Sequence, residues 1–254
     1  MKNKHIYNLP KLILFAAITA ITTILICYLI ATNNEHYPTS KVILPFISLT
    51  GYKSPEYYLY VIGFCTTGII FIYCSYCLHF IIFPITELFT KKQLKQLFVI
   101  LTIGIIFFMI HAIIPLQDDI VTSDTLTIWS KIHQSSAGIF FVLVIIHTCY
   151  FIKIVRKKQF VDEYLNKNAR MIRLCCVIGS CITVFIAMGI HPTTQLLFGE
   201  DNGKIMASVG AIAQWILVGS IIVIFSSYSM DVQKLLPKIF EKENYSNVEA
   251  SRDN

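Results

Sequence analysis

Residues 97–116 read LFVILTIGIIFFMIHAIIPL, a run of twenty positions without a formal charge. At about 1.5 Å of rise per residue, such a run crosses the roughly 30 Å of hydrocarbon in a bilayer. Backbone amides and carbonyls must pair internally in lipid, so the run is a helix. Five further runs resemble it, and the six spans are expected at about 12–31, 59–83, 97–116, 132–152, 171–190 and 206–228. The fold class that follows is an all-α integral membrane protein, a six-transmembrane-helix bundle. Residues 1–230 make the membrane domain and 231–254 a short tail.

Composition points the same way. Of the 254 residues, 55% are hydrophobic and 14% charged, and mean hydropathy is +0.64. Soluble domains carry about 45–50% apolar and about 25% charged residues. The net charge of +6 does not indicate a nucleic-acid partner, because the basic residues sit between apolar runs. They gather at Lys2, Lys4 and Lys11, then at Lys91, Lys92 and Lys95. The fourth loop carries Lys153, Arg156, Lys157, Lys158, Lys167, Arg170 and Arg173. The tail adds Lys234, Lys238, Lys242 and Arg252. Cytoplasmic loops are the basic ones, so both termini are expected in the cytoplasm. The bilayer is then the partner, with anionic phospholipids at the basic inner loops. The first run exceeds the apolar core of a signal peptide and is expected to remain as an anchor. The sequon Asn244-Tyr245-Ser246 would lie in the cytoplasm and stay unglycosylated.

All eight cysteines fall inside or at the ends of the spans, so no disulfide framework is expected outside the membrane. Cys74 and Cys77 lie one helical turn apart, but no second pair completes a zinc site. They are expected as small packing residues, and no metal or cofactor is expected.

The polar groups near the spans need more explanation. In the first outer loop, Ser54 is expected as the N-cap of the second helix, with Pro55 its first residue and Glu56 in its first turn. Capping leaves Pro45-Phe46-Ile47-Ser48 unexplained. An apolar extended segment outside lipid is either a plug lying on the bundle or part of a binding site. The third outer loop holds Asp118, Asp119 and Asp124 and ends at His133, which is either a solvated acidic loop or an acid–base or cation site. His111 and His191 lie at outer helix ends, and His79 and His147 near inner ones. That is the layout of a six-helix cytochrome with two haems b, set against histidines that are merely interfacial. Gln214 is expected to hydrogen-bond between helices beside Trp215. Ala207, Gly210, Ala211 and Ala213, with Ala137 and Gly138, offer small-residue contact surfaces. In the tail, Asp231 with Leu235-Leu236 has the form of an acidic dileucine sorting signal, and Tyr245 with Val248 that of a tyrosine-based one. No phosphate loop, nucleophile elbow or metalloprotease motif is present in the sequence, so nothing direct indicates an enzyme.

Three stretches carry a family resemblance: Pro45, Phe46 and Ser48 with Thr50, Gly51, Pro55 and Glu56; His133 with Ala137, Gly138 and Phe140; and Trp215 with Asp231. Together they resemble the DRAM proteins, the damage-regulated autophagy modulators, within a wider group that includes the Sfk and Frag membrane proteins. Leu49, Gln134 and Gln214 stand where that family usually has acids, which marks a divergent member. The resemblance implies a multi-pass, non-enzymatic regulator in lysosomal or endosomal membranes that promotes autophagy. A Sfk-like member would instead support phosphatidylinositol 4-kinase recruitment at the plasma membrane through Arg156, Lys157 and Lys158. A Frag-like member would serve GPI-anchor lipid remodelling in the Golgi or endoplasmic reticulum, with Glu56 and His133 as its polar groups. A haem b electron carrier is the remaining alternative.

Overall fold

A computed structural model of the chain describes residues 6–36, 44–117, 126–186 and 208–241 with their side chains. Among them, six helices are long and apolar enough to cross a membrane: α1 (Leu9–Asn33), α2 (Glu56–Thr86), α3 (Lys91–Ile113), α4 (Ile128–Arg156), α5 (Lys167–Ile186) and α6 (Ser208–Glu241). Each span expected from the apolar runs corresponds to one of them. Neighbours in sequence are neighbours in space from α1 to α4, and the last two spans close the bundle against α1 and α4. Expectations on His191, Pro192, Ala207, Asp118, Asp119, Asp124, Asn244, Tyr245 and Val248 lie outside the described residues.

Where helix ends differ from the apolar runs, local chemistry accounts for it. α3 begins at Lys91, ahead of the apolar run, because Thr90 and Gln93 form a capping box. The Gln93 amide donates to Thr90 Oγ1 at 3.2 Å and the Thr90 amide to Gln93 Oε1 at 2.9 Å. It stops at Ile113 because Ile114 precedes Pro115 and is driven to an extended conformation, φ −81° and ψ 114°. The expected Ser54 cap of α2 is not made. Pro55 stands just before the helix, and the carbonyls of Lys53 and Pro55 accept from the first amides, those of Tyr57 at 2.8 Å and Tyr58 at 3.2 Å. At its far end α2 widens into a π-helical turn, Leu78–Ile82, and then tightens at Phe83–Thr86. Pro84 there removes a helical donor. The widened turn contains His79, and such bulges recur at functional positions.

The last helix extends into the segment expected as tail. α6 runs on to Glu241, past the expected end of the membrane domain. Val232, Leu235 and Ile239 recur at helical spacing and join a buried cluster with Ile6, Leu9 and Ile13. Burial of that stripe holds the first part of the tail as helix.

The core is aromatic and tightly packed at the helix crossings. Phe71 stacks on Phe225 with centroids 4.3 Å apart. Cys27, Cys74 and Cys77 are buried free thiols packed among apolar neighbours. Gly63 of α2 lets α1 come close, since a Cβ there would fall 2.0 Å from Thr23 Oγ1 and 2.6 Å from its Cγ2. Thr23 is short and β-branched, with its hydroxyl tied to the Thr19 carbonyl at 2.8 Å, so it has nowhere to swing. Gly63→Leu should therefore lower stability by about 1–3 kcal/mol. In detergent this reads as a clear drop in the thermal unfolding midpoint. Gly219→Leu should leave the midpoint unchanged, because nothing lies within 4 Å of that Cβ position.

Candidate functional site

Residues 45–51 are all buried. They enter the bundle as a plug, and one helical turn at Ile47–Thr50 completes it. An irregular segment among apolar helices must still pair its backbone. α6 supplies the partners: the Trp215 indole N–H donates to the Pro45 carbonyl at 2.9 Å, and the Ile47 amide donates to Gln214 Oε1 at 2.7 Å. The expected helix-to-helix bond of Gln214 is thus a helix-to-loop bond. The small residues of α6 receive the same plug, since a Cβ on Gly210 would stand 3.2 Å from the Phe46 ring. Phe46 and Leu49 share a buried cluster with Ala31, Leu116 and Ala211. The Thr50 hydroxyl closes the turn onto the Ile47 carbonyl at 2.7 Å, and Gly51 lies under the Tyr60 ring, which leaves no room for a side chain.

Beneath the plug lies a cavity of about 50 Å³. Phe64, Phe71, Phe108, Phe140, Phe141 and Phe225 line it together with aliphatic side chains. Ser48, Tyr60, His111 and Gln214 supply polar atoms toward the plug, and Thr67 lines the wall further along α2 with its hydroxyl tied to the Gly63 carbonyl at 2.9 Å.

A buried polar cluster surrounds the plug end. Glu56 is fully buried and pairs with His36, while its Oε2 has no partner among the described residues. One turn along α2, the Tyr60 hydroxyl meets His111 Nε2 at 2.9 Å. His111 Nδ1 faces the His133 carbonyl at 3.2 Å, and His133 Nδ1 faces the Ile114 carbonyl at 2.7 Å. Carbonyls only accept, so both Nδ1 atoms carry hydrogen, and Tyr60 O–H donates to His111 Nε2. The two imidazoles lie 3.9 Å apart between centroids. His111 and His133 are therefore paired and buried, where interfacial histidines were the alternative. Glu56 and His133 have separate hydrogen-bond partners. Gly138 is buried in α4 and Pro55 is exposed.

A second cluster lies at the opposite, basic end. Arg173 of α5 and Asp231 of α6 are both fully buried and form an ion pair. Asp231 Oδ1 also accepts from the Asn166 amide at 2.8 Å, just before α5. The Arg173 guanidinium lies over Tyr228 at 4.5 Å and Phe151 at 4.9 Å. His147 stands 6.3 Å from Tyr228 and 5.6 Å from His79, centroid to centroid. His79 Nδ1 donates to the Ser75 carbonyl at 2.8 Å.

These residues do not fit a haem. The rings of Phe83 and Phe98 already crowd His79, at 5.8 and 6.3 Å. The nearby cavity, against Ser75, Leu78 and Tyr228, measures about 10 Å³. His111 is engaged with His133 and Tyr60. Among the described residues no group of three or more His, Cys, Asp or Glu is placed to hold a metal ion.

Leu235 is buried and Leu236 partly so, on a helix. A sorting receptor needs exposed leucines, so this pair is not presented in this fold. The sequence does not single out His36, nor the burial of Tyr60 and Arg173. Arg173 was legible in principle: it stands inside the apolar run that begins near residue 171, with an opposite charge, Asp231, at the end of another.

A family model described as the Frag1/DRAM/Sfk1/Cwh43P N-terminal domain matches residues 8–235. Comparison with curated proteins and with solved structures gives no match.

Removing one member of a buried ion pair strands the other charge, at a cost of about 3–5 kcal/mol, whereas replacing both with apolar groups is far milder. Asp231→Leu and Arg173→Met should each lower the unfolding midpoint sharply. The double variant should recover most of the loss. Equal destabilisation in the double variant would contradict the pairing.

Proposed function

The chain belongs to the Frag1/DRAM/Sfk1/Cwh43P N-terminal-domain family, and from that premise we propose that it is a non-enzymatic, lipid-holding regulator of lysosomal and endosomal membranes that promotes autophagy. The observation that carries the lipid part is the plugged cavity: a largely apolar space inside the bundle whose hydrogen-bonding groups gather toward the plug, apart from the Thr67 hydroxyl bonded within its own helix. Small-molecule sites are of this kind, mostly apolar with a few placed polar groups. A space of about 50 Å³ admits only a short hydrocarbon segment of a lipid, with the polar atoms of Ser48, Tyr60, His111 and Gln214 at the plug end. The choice of the DRAM branch rests on the resemblance of the motif stretches, of which Pro45, Phe46, Ser48, Thr50, Gly51 and Trp215 meet in the plug and its partner helix, while Asp231 lies at the basic end. The basic end, with Lys153, Arg156, Lys157, Lys158 and Lys167, supports an orientation with both termini in the cytoplasm.

Two measurements test this reading separately. Protein purified in mild detergent should carry a co-purifying lipid detectable by native mass spectrometry. Val218→Trp fills the cavity and should lose that lipid while keeping a wild-type unfolding midpoint. Retention of lipid by that variant removes the cavity as its site. In cells, a tagged copy should colocalise with lysosomal markers, and its loss should reduce autophagic flux. Residence at the plasma membrane or Golgi with unchanged flux moves the assignment to the Sfk-like or Frag-like branch and leaves the lipid site standing.

A further inference from the structure

A wider cavity, about 490 Å³, opens between α4 and α5 at the basic end. On α4 it is lined by Cys149, Ile152, Lys153, Arg156 and Lys157, and on α5 by Leu174 and Val177. The α4 residues follow the i, i+3, i+4, i+7, i+8 spacing of one helix face. Their order along the axis matters: Cys149 and Ile152 come first, toward the middle of the helix, and the three cations follow at its end. Leu174 and Val177 lie across from the apolar part, because α5 runs back from the basic end.

The charges in this groove are uncompensated, unlike their neighbours. Arg170 pairs with Asp162, and Arg173 with Asp231. Lys234 donates to the carbonyls of Asp162 and Leu165, and Lys238 lies 4.3 Å over the Tyr164 ring. Lys153, Arg156 and Lys157 form no ion pair with any described residue, and no carboxylate lines the cavity. Cations at a helix C-terminus complement its dipole and snorkel to the interface. That accounts for the residue types but not for an open groove with an apolar floor running down from them.

We propose that this groove seats one anionic glycerophospholipid of the leaflet at the basic end. The headgroup phosphate lies on Lys153, Arg156 and Lys157, and an acyl chain runs along Ile152, Leu174 and Val177. A guanidinium flanked by two ammonium groups suits a phosphate, with Arg156 able to bond two of its oxygens at once. Basic pockets between membrane helices bind anionic lipid headgroups in this way. The apolar floor selects a lipid over a soluble anion. This site is separate from the plugged cavity and does not depend on what that cavity holds.

The test uses the full chain in phosphatidylcholine nanodiscs, titrated with dioleoylphosphatidylserine and read by native mass spectrometry. The wild type should retain phosphatidylserine in preference to phosphatidylcholine. Each neutralised charge should weaken retention roughly fivefold, so Lys153→Gln/Arg156→Gln/Lys157→Gln should weaken it about 100-fold. Leu174→Trp and Val177→Phe fill the apolar part without touching a charge, and at least one should abolish the preference at an unchanged unfolding midpoint. Loss in the charge variant with full retention in both groove-filling variants overturns the proposal in favour of diffuse surface attraction. Retention in all variants overturns it outright. Equal competition by soluble glycerophosphoserine would show a free-anion site and also overturn it.

Discussion

The structure depends on a constraint that is mild in water and severe in lipid: irregular backbone cannot be buried unless each polar atom finds a partner. Residues 45–47 are such a backbone. Their pairing to Gln214 and Trp215 allows the plug to enter the bundle at all. Without those two side chains, the amide of Ile47 and the carbonyl of Pro45 would face hydrocarbon at a cost of about 1–3 kcal/mol each. The plug in turn roofs the aromatic cavity and covers the buried Glu56–Tyr60–His111–His133 cluster. Gln214 supplies a carbonyl acceptor at a position where the resembling family usually has an acid. A carboxylate would accept from the same amide, so the exchange preserves this bond and removes a charge.

Polar groups are otherwise segregated to the two ends. His36, Glu56, Tyr60, His111 and His133 gather near the plug, while His79, His147, Arg173, Tyr228 and Asp231 gather near the basic end. Between them the bundle is mainly phenylalanine and aliphatic side chains, with scattered buried hydroxyls such as Thr67 and Thr148 bonded to their own helices. This layout gives no continuous polar path through the middle among the described residues.

The six spans were legible because length and apolarity alone determine a membrane helix. Helix ends were less so. Thr90 and Gln93 form a capping box that the apolar run does not include, and Ser54 matches the pattern of a cap that the turn carbonyls make unnecessary. The plug was half legible: Pro45-Phe46-Ile47-Ser48 stood out as unexplained, yet only three dimensions pair it with α6, more than 160 residues later. The histidines marked the right positions but not the right pairs. His111 partners His133 across α3 and α4, and nothing in their spacing encodes it. Arg173 was counted with a loop when it is the inward end of a buried pair, because a lone charge near a span's edge looks the same in sequence whether it faces water or a partner.

One helix, α6, bears both Gln214 and Trp215 at the plug and Asp231 at the basic end. A helix is stiff along its axis, so α6 fixes the distance between these two sets of contacts. An axial shift of about 1.5 Å, one residue of rise, would strain the plug's hydrogen bonds and the Arg173 clamp together. The roof on one side and the Arg173 clamp on the other are thus held at one axial separation, set by the length of α6 between Trp215 and Asp231.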